Sequence, residues 1–122
     1  MLVDDDPDDH EIFEMAITKA SADAICIHYH SAETALGQMP NLPGKLPDYI
    51  FLDLNMPRMN GMQFLELIKK DESLSSIPVI VYSTSIMPST IAQALQLGAF
   101  DFFSKPASHL DLIKALTNLL SL

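Results

Sequence analysis

The chain has 122 residues, with 16 Asp and Glu against 7 Lys and Arg and a formal net charge of −9. This length fits one domain spanning residues 1–122 and argues against a multidomain enzyme. With 48% apolar residues, the chain can bury a core, which an acidic disordered tail cannot do. The few, scattered basic residues leave no clustered positive surface, so we expect no nucleic-acid binding.

The location is expected to be the cytoplasm, with no membrane attachment. No apolar run approaches the roughly 20 residues needed to cross a bilayer, and the N-terminus is acidic where a signal peptide would be basic. The start at Met1 is abrupt enough for a few residues to precede it in the native protein. Cys26 is the only cysteine, which excludes a disulfide within the chain.

Short apolar runs alternate with segments of helical period five times along the chain. Because the runs are continuously apolar, they are typical of strands covered on both faces, as in a parallel sheet. The alternation predicts an α/β sandwich. The predicted strands are Met1 to Val3, Ala24 to Tyr29, Tyr49 to Leu54, Ile77 to Tyr82 and Phe100 to Phe103.

The segments between the strands carry helix start and stop signals. Capping residues precede the first, second, third and last helices, and a glycine follows the fourth. The predicted signals are Asp6-Pro7 for the first helix, Ser31 to Met39 for the second, Asn60-Gly61 for the third, Ser89 to Leu97 with Gly98 for the fourth, and Ser108 before Leu110 to Leu120.

Polar side chains follow four of the predicted strands, at the edge where doubly wound sheets bind ligands. Neighbouring carboxylates repel one another unless a cation lies between them, and Mg²⁺ takes such oxygen ligands. Alternatively, the first acidic cluster is a solvated cap on the first helix, a reading that suits Asp6, Asp8 and Asp9 better than Asp4 and Asp5. The strand-end residues are Asp4-Asp5-Asp6, Asp53, Ser83-Thr84-Ser85 and Ser104-Lys105-Pro106.

Each of the other strand-end residues also has an ordinary structural interpretation. Asp53 follows four apolar residues and should lie at a strand tip with a partner, but it could also cap the next turn. A single Lys such as Lys105 is more often a surface charge, and Ser83 alone is typical of a turn.

Taken in order, these residues resemble the receiver domain of two-component response regulators, including the single-domain chemotaxis-type regulators. The resemblance covers essentially the whole chain. It implies a five-stranded parallel sheet in a doubly wound (βα)5, flavodoxin-like, three-layer sandwich. Its motifs here are Asp4-Asp5, the segment Asp53-Leu54-Asn55-Met56-Pro57 with Gly61, Ser83, and Lys105-Pro106.

The resemblance also implies the chemistry. Asp53 would accept a phosphoryl group from a sensor histidine kinase or a histidine phosphotransfer protein. Asp5, Asp53 and the backbone carbonyl of Asn55 would bind Mg²⁺, with Asp4 acting through water. Lys105 and Ser83 would bind phosphoryl oxygens. Such a domain catalyses only its own phosphorylation and dephosphorylation, so we do not expect an enzyme.

Two pairs of positions are implied to control the signal. Ser83 and Phe102 match the switch residues, although Phe102 is equally typical of a core aromatic. Asn55 and Ser85 match positions that set the rate of self-dephosphorylation.

The signal would pass to a downstream protein that the sequence does not identify. No Asp, Glu, Lys or Arg occurs from Ser73 to Phe100. This neutral stretch suggests a partner surface, or a homodimer through the face formed by the fourth helix, fifth strand and fifth helix. The alternative is a helix polar enough to stay solvated.

The sequence leaves two other functions as alternatives. A haloacid-dehalogenase-type Mg²⁺ phosphatase also uses a strand-tip Asp, but it places a second Asp two residues later, where this chain has Asn55. A non-phosphorylated pseudo-receiver would lack key residues, and all of them are present. The sequence does not favour a metal role for the four histidines, His10, His28, His30 and His109. The alternation of His28 and His30 with apolar residues better fits a solvent-facing strand end.

Overall fold

In a computed structural model, the described residues are 1–39, 46–84, 87–105 and 108–120. Strands and helices alternate along the whole chain. The strands are β1 (Leu2–Val3), β2 (His28–Tyr29), β3 (Ile50–Leu52), β4 (Val79–Ser83) and β5 (Asp101–Ser104). The helices are α1 (Pro7–Ala20), α2 (Ala32–Gln38), α3 (Gly61–Lys70), α4 (Pro88–Gln96) and α5 (His109–Leu120).

All strand pairs are parallel, and the sheet order is β2-β1-β3-β4-β5. Two apolar clusters cover its faces, one including Phe13 of α1 and Leu116 of α5, the other including Ala35 of α2 and Phe64 of α3. The predicted three-layer α/β sandwich is therefore confirmed. The strand order reverses between β1 and β3. In such sheets the ligand-binding crevice lies at this reversal, outside the carboxyl ends of the strands.

The predicted helix caps hold in the structure. The side chains of Asp6, Ser31 and Asn60 accept hydrogen bonds from backbone N–H groups of α1, α2 and α3. After α4, Gly98 has φ of 109°, and the N–H of Ala99 donates to the carbonyl of Ala94 at 3.0 Å. Gly98 thus ends the helix with a left-handed backbone conformation, which favours glycine.

The observed bounds of β1, β3, β4 and β5 lie within two residues of the predicted ones, but two larger differences occur. β2 contains only His28 and Tyr29, because its neighbour β1 offers two residues for pairing, and Ile25 is 88% exposed. The apolar run at Phe100 to Phe103 is not covered on both faces. β5 is the last strand in the sheet order, and Phe100 and Phe102 are exposed.

In the part of the chain that the structure describes, no helix is both long and apolar enough to span a bilayer.

Candidate functional site

Asp53 lies directly after β3 and is almost fully buried. Its Oδ1 accepts hydrogen bonds from the Ser83 hydroxyl at 2.9 Å and from the Asn55 backbone N–H at 3.2 Å. Since β3 and β4 are adjacent parallel strands, their carboxyl ends bring the two side chains to one edge. Asp53 is therefore the partnered strand-tip carboxylate that the sequence predicts.

Asp4 and Asp5 reach the same edge from the end of β1. Carboxylate oxygens of Asp4, Asp5 and Asp53 lie within 4.8 Å of one another. Asp4 and Asp53 are buried, whereas Asp5 is exposed at the entrance. Three convergent carboxylates repel one another, and a hard divalent cation with oxygen ligands relieves that repulsion. The donor set therefore fits Mg²⁺.

Lys105 joins this cluster from the segment after β5. Its Nζ donates to Oδ2 of Asp4 at 2.8 Å and to Oδ2 of Asp9 at 2.6 Å, and lies 3.7 Å from Oδ2 of Asp53. Burial alone would lower the pKa of Lys105, but the hydrogen bonds and charges of these carboxylates outweigh it and raise the pKa. Lys105 is thus held as a cation at the strand ends.

Asp4 is the innermost acid of the cluster, with no exposed side-chain surface. Burial raises the pKa of Asp4, and the ion pair with Lys105 opposes this effect. Its Oδ1 also accepts a hydrogen bond from the Asp6 N–H at 3.0 Å, which fixes the carboxylate at the turn into α1.

Asp9 is a member of the site that the sequence interpretation missed. The sequence favours Asp9 as part of the solvated cap of α1, but its carboxylate pairs with Lys105 and is only 24% exposed. The position of Asp9 in the sequence could have indicated this role. Asp9 is in the first turn of α1, and the start of that helix adjoins the strand-end crevice.

Two histidines, His10 and His28, lie against the turn between β1 and α1. The ring of His10 is buried, with Nε2 2.6 Å from the carbonyl oxygen of Asp4 and Nδ1 2.6 Å from Nδ1 of His28. A carbonyl can only accept, so Nε2 of His10 donates, and in neutral His10 the Nδ1 accepts from His28. The predicted solvent-facing strand end holds for the exposed His30, while His28 is half-buried.

Asn55 and Thr84 complete the lining of the crevice. The Asn55 side-chain amide lies 3.4 Å from the Ser83 hydroxyl. Phe102 is 36% exposed on the edge strand, so the core interpretation of this residue is wrong. Ser85, Pro106 and most of the loop from Pro40 to Pro47 lie outside the described residues.

Gly61 is required by close backbone contact beneath the site. A Cβ at this position would lie 2.4 Å from the carbonyl oxygen of Asp53 and 2.6 Å from Cα of Leu54. Any other residue would push α3 away from the strand tip that carries Asp53.

Comparison with known proteins defines the family. Residues 1–117 match the family model described as the response regulator receiver domain, and the chain belongs to that family. Over 117 residues it is 32% identical to the two-component response regulator ORR1 of Oryza sativa subsp. japonica. That alignment covers 91% of this chain and 50% of the relative, so the chain spans half the length of this curated relative.

Solved structures agree in fold. The phosphorylated cyanobacterial phytochrome response regulator RcpA superposes with a TM-score of 0.86 at 27% identity, covering 97% of this chain and 87% of that one. The Mn²⁺-bound response regulator Rcp1 gives a TM-score of 0.84 at 25% identity, covering 98% and 89%. The comparisons support neither the phosphatase nor the pseudo-receiver alternative.

Proposed function

We propose that Asp53 accepts a phosphoryl group from a phosphohistidine, making the chain the receiver domain, residues 1–122, of a phosphorelay. The observation that carries this proposal is that Asp53 meets four other side chains at one edge of the sheet, namely Asp4, Asp5, Ser83 and Lys105. A nucleophile, two further carboxylates, a hydroxyl donor and a cation are what phosphoryl transfer needs, because positioning and charge neutralisation supply most of its catalysis.

In this reaction a carboxylate oxygen of Asp53 forms the new P–O bond as the P–N bond of the phosphohistidine breaks. The electrons of the broken bond return to the imidazole nitrogen of the donor. No proton leaves Asp53, since a carboxylate is already a nucleophile. Lys105 and the Ser83 hydroxyl would bind the oxygens of the transferred phosphoryl group, and their distances of 3.7 and 2.9 Å from Asp53 oxygens support these roles.

We further propose Mg²⁺ as the cofactor, held by the carboxylates of Asp5 and Asp53 and the carbonyl of Asn55, with Asp4 acting through water. The ion would supply charge neutralisation for the phosphoryl oxygens. Two similar response regulators support this proposal, since Rcp1 has been solved in a Mn²⁺-bound form and RcpA in a phosphorylated form.

We propose that this chain acts in the cytoplasm and that its phosphoryl donor is a sensor histidine kinase or a histidine phosphotransfer protein. For the output we propose the face formed by α4, β5 and α5, serving a downstream protein or a second copy of this chain. Its support is a set of exposed apolar side chains, namely Leu95, Phe100, Phe102 and Leu110. Light scattering with and without beryllofluoride and Mg²⁺ tests the homodimer, which requires a doubled mass in the presence of the phosphoryl mimic.

Intact mass spectrometry after incubation with Mg²⁺ and acetyl phosphate tests the phosphorylation. We expect the mass of one phosphoryl group on the wild type and none on Asp53→Asn. Asp101→Asn removes the same charge from an exposed position on β5 and should be phosphorylated normally. A wild-type chain that gains no phosphoryl group from any donor, or an Asp53→Asn chain that still gains one, contradicts the proposal.

A further inference from the structure

Lys105 is bonded to two carboxylates that are not the proposed phosphoryl acceptor. Its Nζ is 2.6 Å from Asp9 and 2.8 Å from Asp4, against 3.7 Å from Asp53. An ammonium has three N–H donors, and two of them are directed to Asp4 and Asp9. We propose that Asp9 is a positioning residue that restrains Lys105 away from Asp53 and thereby slows phosphorylation. This inference rests on the proposed function of Asp53.

Asp4 and Asp9 differ in how easily each can lose its ion pair with Lys105. Asp4 is fully buried and is tied to the Asp6 N–H, so its separation from Lys105 would leave a carboxylate unpaired in the interior. Asp9 is partly exposed in the first turn of α1, so water can replace Lys105 as its partner. When a phosphoryl group on Asp53 draws Lys105 toward it, the bond to Asp9 is therefore the one that breaks.

The position of Asp9 in the crevice should slow phosphorylation in a second way. Asp9 lines the crevice together with Asp5, Asp53 and Lys105. A phosphoryl donor brings negative oxygens into this crevice, and the carboxylate of Asp9 repels them. Removal of the charge should both free Lys105 and admit the donor.

Asp8 provides a matched control for the general effect of charge. It is exposed in the same first turn of α1, and the ion pairs of Lys105 are with Asp4, Asp9 and Asp53. Asp8→Asn and Asp9→Asn remove equal charges from the start of one helix, so both lose a similar interaction with the helix dipole. Only Asp9→Asn removes a carboxylate bonded to Lys105.

The test measures the rate of phosphorylation by acetyl phosphate with Mg²⁺ in the full chain. We expect Asp9→Asn to react about three to five times faster than the wild type, a factor in the upper part of the range measured for exposed ion pairs. Asp8→Asn should stay within about twofold of the wild type. Asp9→Glu, which keeps the carboxylate, should restore the slow rate. Asp9→Ser serves as a second neutral variant in case Asp9→Asn folds poorly.

The affinity for beryllofluoride with Mg²⁺, measured by calorimetry, is the second readout and does not depend on a donor. It should be tighter in Asp9→Asn than in Asp8→Asn. Equal rates and affinities in these two variants, or slower phosphorylation of Asp9→Asn than of the wild type, would overturn the role of Asp9. A wild type that is neither phosphorylated nor binds beryllofluoride would instead overturn the proposed function, on which this role depends.

Discussion

The hydroxyl of Ser83 donates a 2.9 Å hydrogen bond to Oδ1 of Asp53, between the ends of two adjacent parallel strands. Both side chains are buried, so this bond forms with little competition from water. It connects the proposed phosphoryl acceptor to the last residue of β4, which leads toward α4.

Removal of this hydroxyl should weaken both the fold and the response to a phosphoryl mimic. Ser83→Ala leaves Oδ1 of Asp53 with fewer donors, and we expect a loss of about 1 kcal/mol in the free energy of unfolding. Denaturant unfolding measures this loss. In NMR spectra with beryllofluoride and Mg²⁺, amide shifts in α4 should be smaller than in the wild type. Ser83→Thr keeps the hydroxyl and should preserve these shifts; equal responses of the Ala and Thr variants would contradict the role of the hydroxyl.

Gly61→Ala should disturb Asp53 through the backbone. The added Cβ would meet the Asp53 carbonyl oxygen at 2.4 Å, so α3 or the strand tip must move. We expect a destabilisation of about 1 to 3 kcal/mol together with slower phosphorylation. Gly37→Ala is the matched control, because nothing lies within 4 Å of its Cβ and alanine favours the helix by up to about 1 kcal/mol. Gly61→Ala with wild-type stability and phosphorylation would show that the close contact is unimportant.

Mg²⁺ should stabilise the fold through the three carboxylates. At ten times its dissociation constant, a ligand that binds only the folded chain adds about 1.4 kcal/mol. Asp5→Asn should weaken the affinity at least about tenfold, since even outer partners of metal ligands contribute that much. Thermal unfolding with increasing Mg²⁺ measures the effect, with Asp23→Asn, at an exposed turn, as the control. An equal response to Mg²⁺ in Asp5→Asn and Asp23→Asn would exclude Asp5 as a ligand.

The histidine pair predicts a loss of stability in mild acid. Burial, followed by the nearby His10, lowers the pKa of His28 below its usual value of 6.5, while Glu14 opposes this and the amino terminus and His30 add to it. The unfolded chain therefore binds a proton at this residue more tightly, and the free energy of unfolding falls as the pH drops below about 6.5 toward the lowered folded pKa.

Urea unfolding at a series of pH values measures this dependence. His28→Gln should flatten the curve between about pH 7 and 5, since glutamine does not titrate. A wild-type slope retained in His28→Gln would assign the acid sensitivity to other groups.

Much of the site follows from the sequence because strand ends are local features. The acidic residues after β1, Asp53 after β3 and Ser83 at the end of β4 could be placed together once a parallel sheet was predicted. The helix caps Asp6, Ser31 and Asn60 were equally local, since each depends only on its next three residues.

The features that were missed depend on contacts between distant segments. Asp9 looked like a helix cap because periodicity does not reveal that its carboxylate reaches Lys105. The exposure of Phe102 depends on β5 being the last strand in the sheet, which its apolar composition does not show. The contact between His10 and His28 requires α1 to pack beside the end of β2, which spacing alone does not predict.

The bond between Asp4 and Lys105 joins residues 101 positions apart in the chain. The pocket therefore closes only when the first and last strands share one sheet, an arrangement that short nascent or cleaved fragments cannot reach. A phosphoryl donor that requires the complete pocket would not phosphorylate incompletely folded chains. Phosphorylation would then also report the integrity of the domain, so that signals are carried only by molecules that have finished folding.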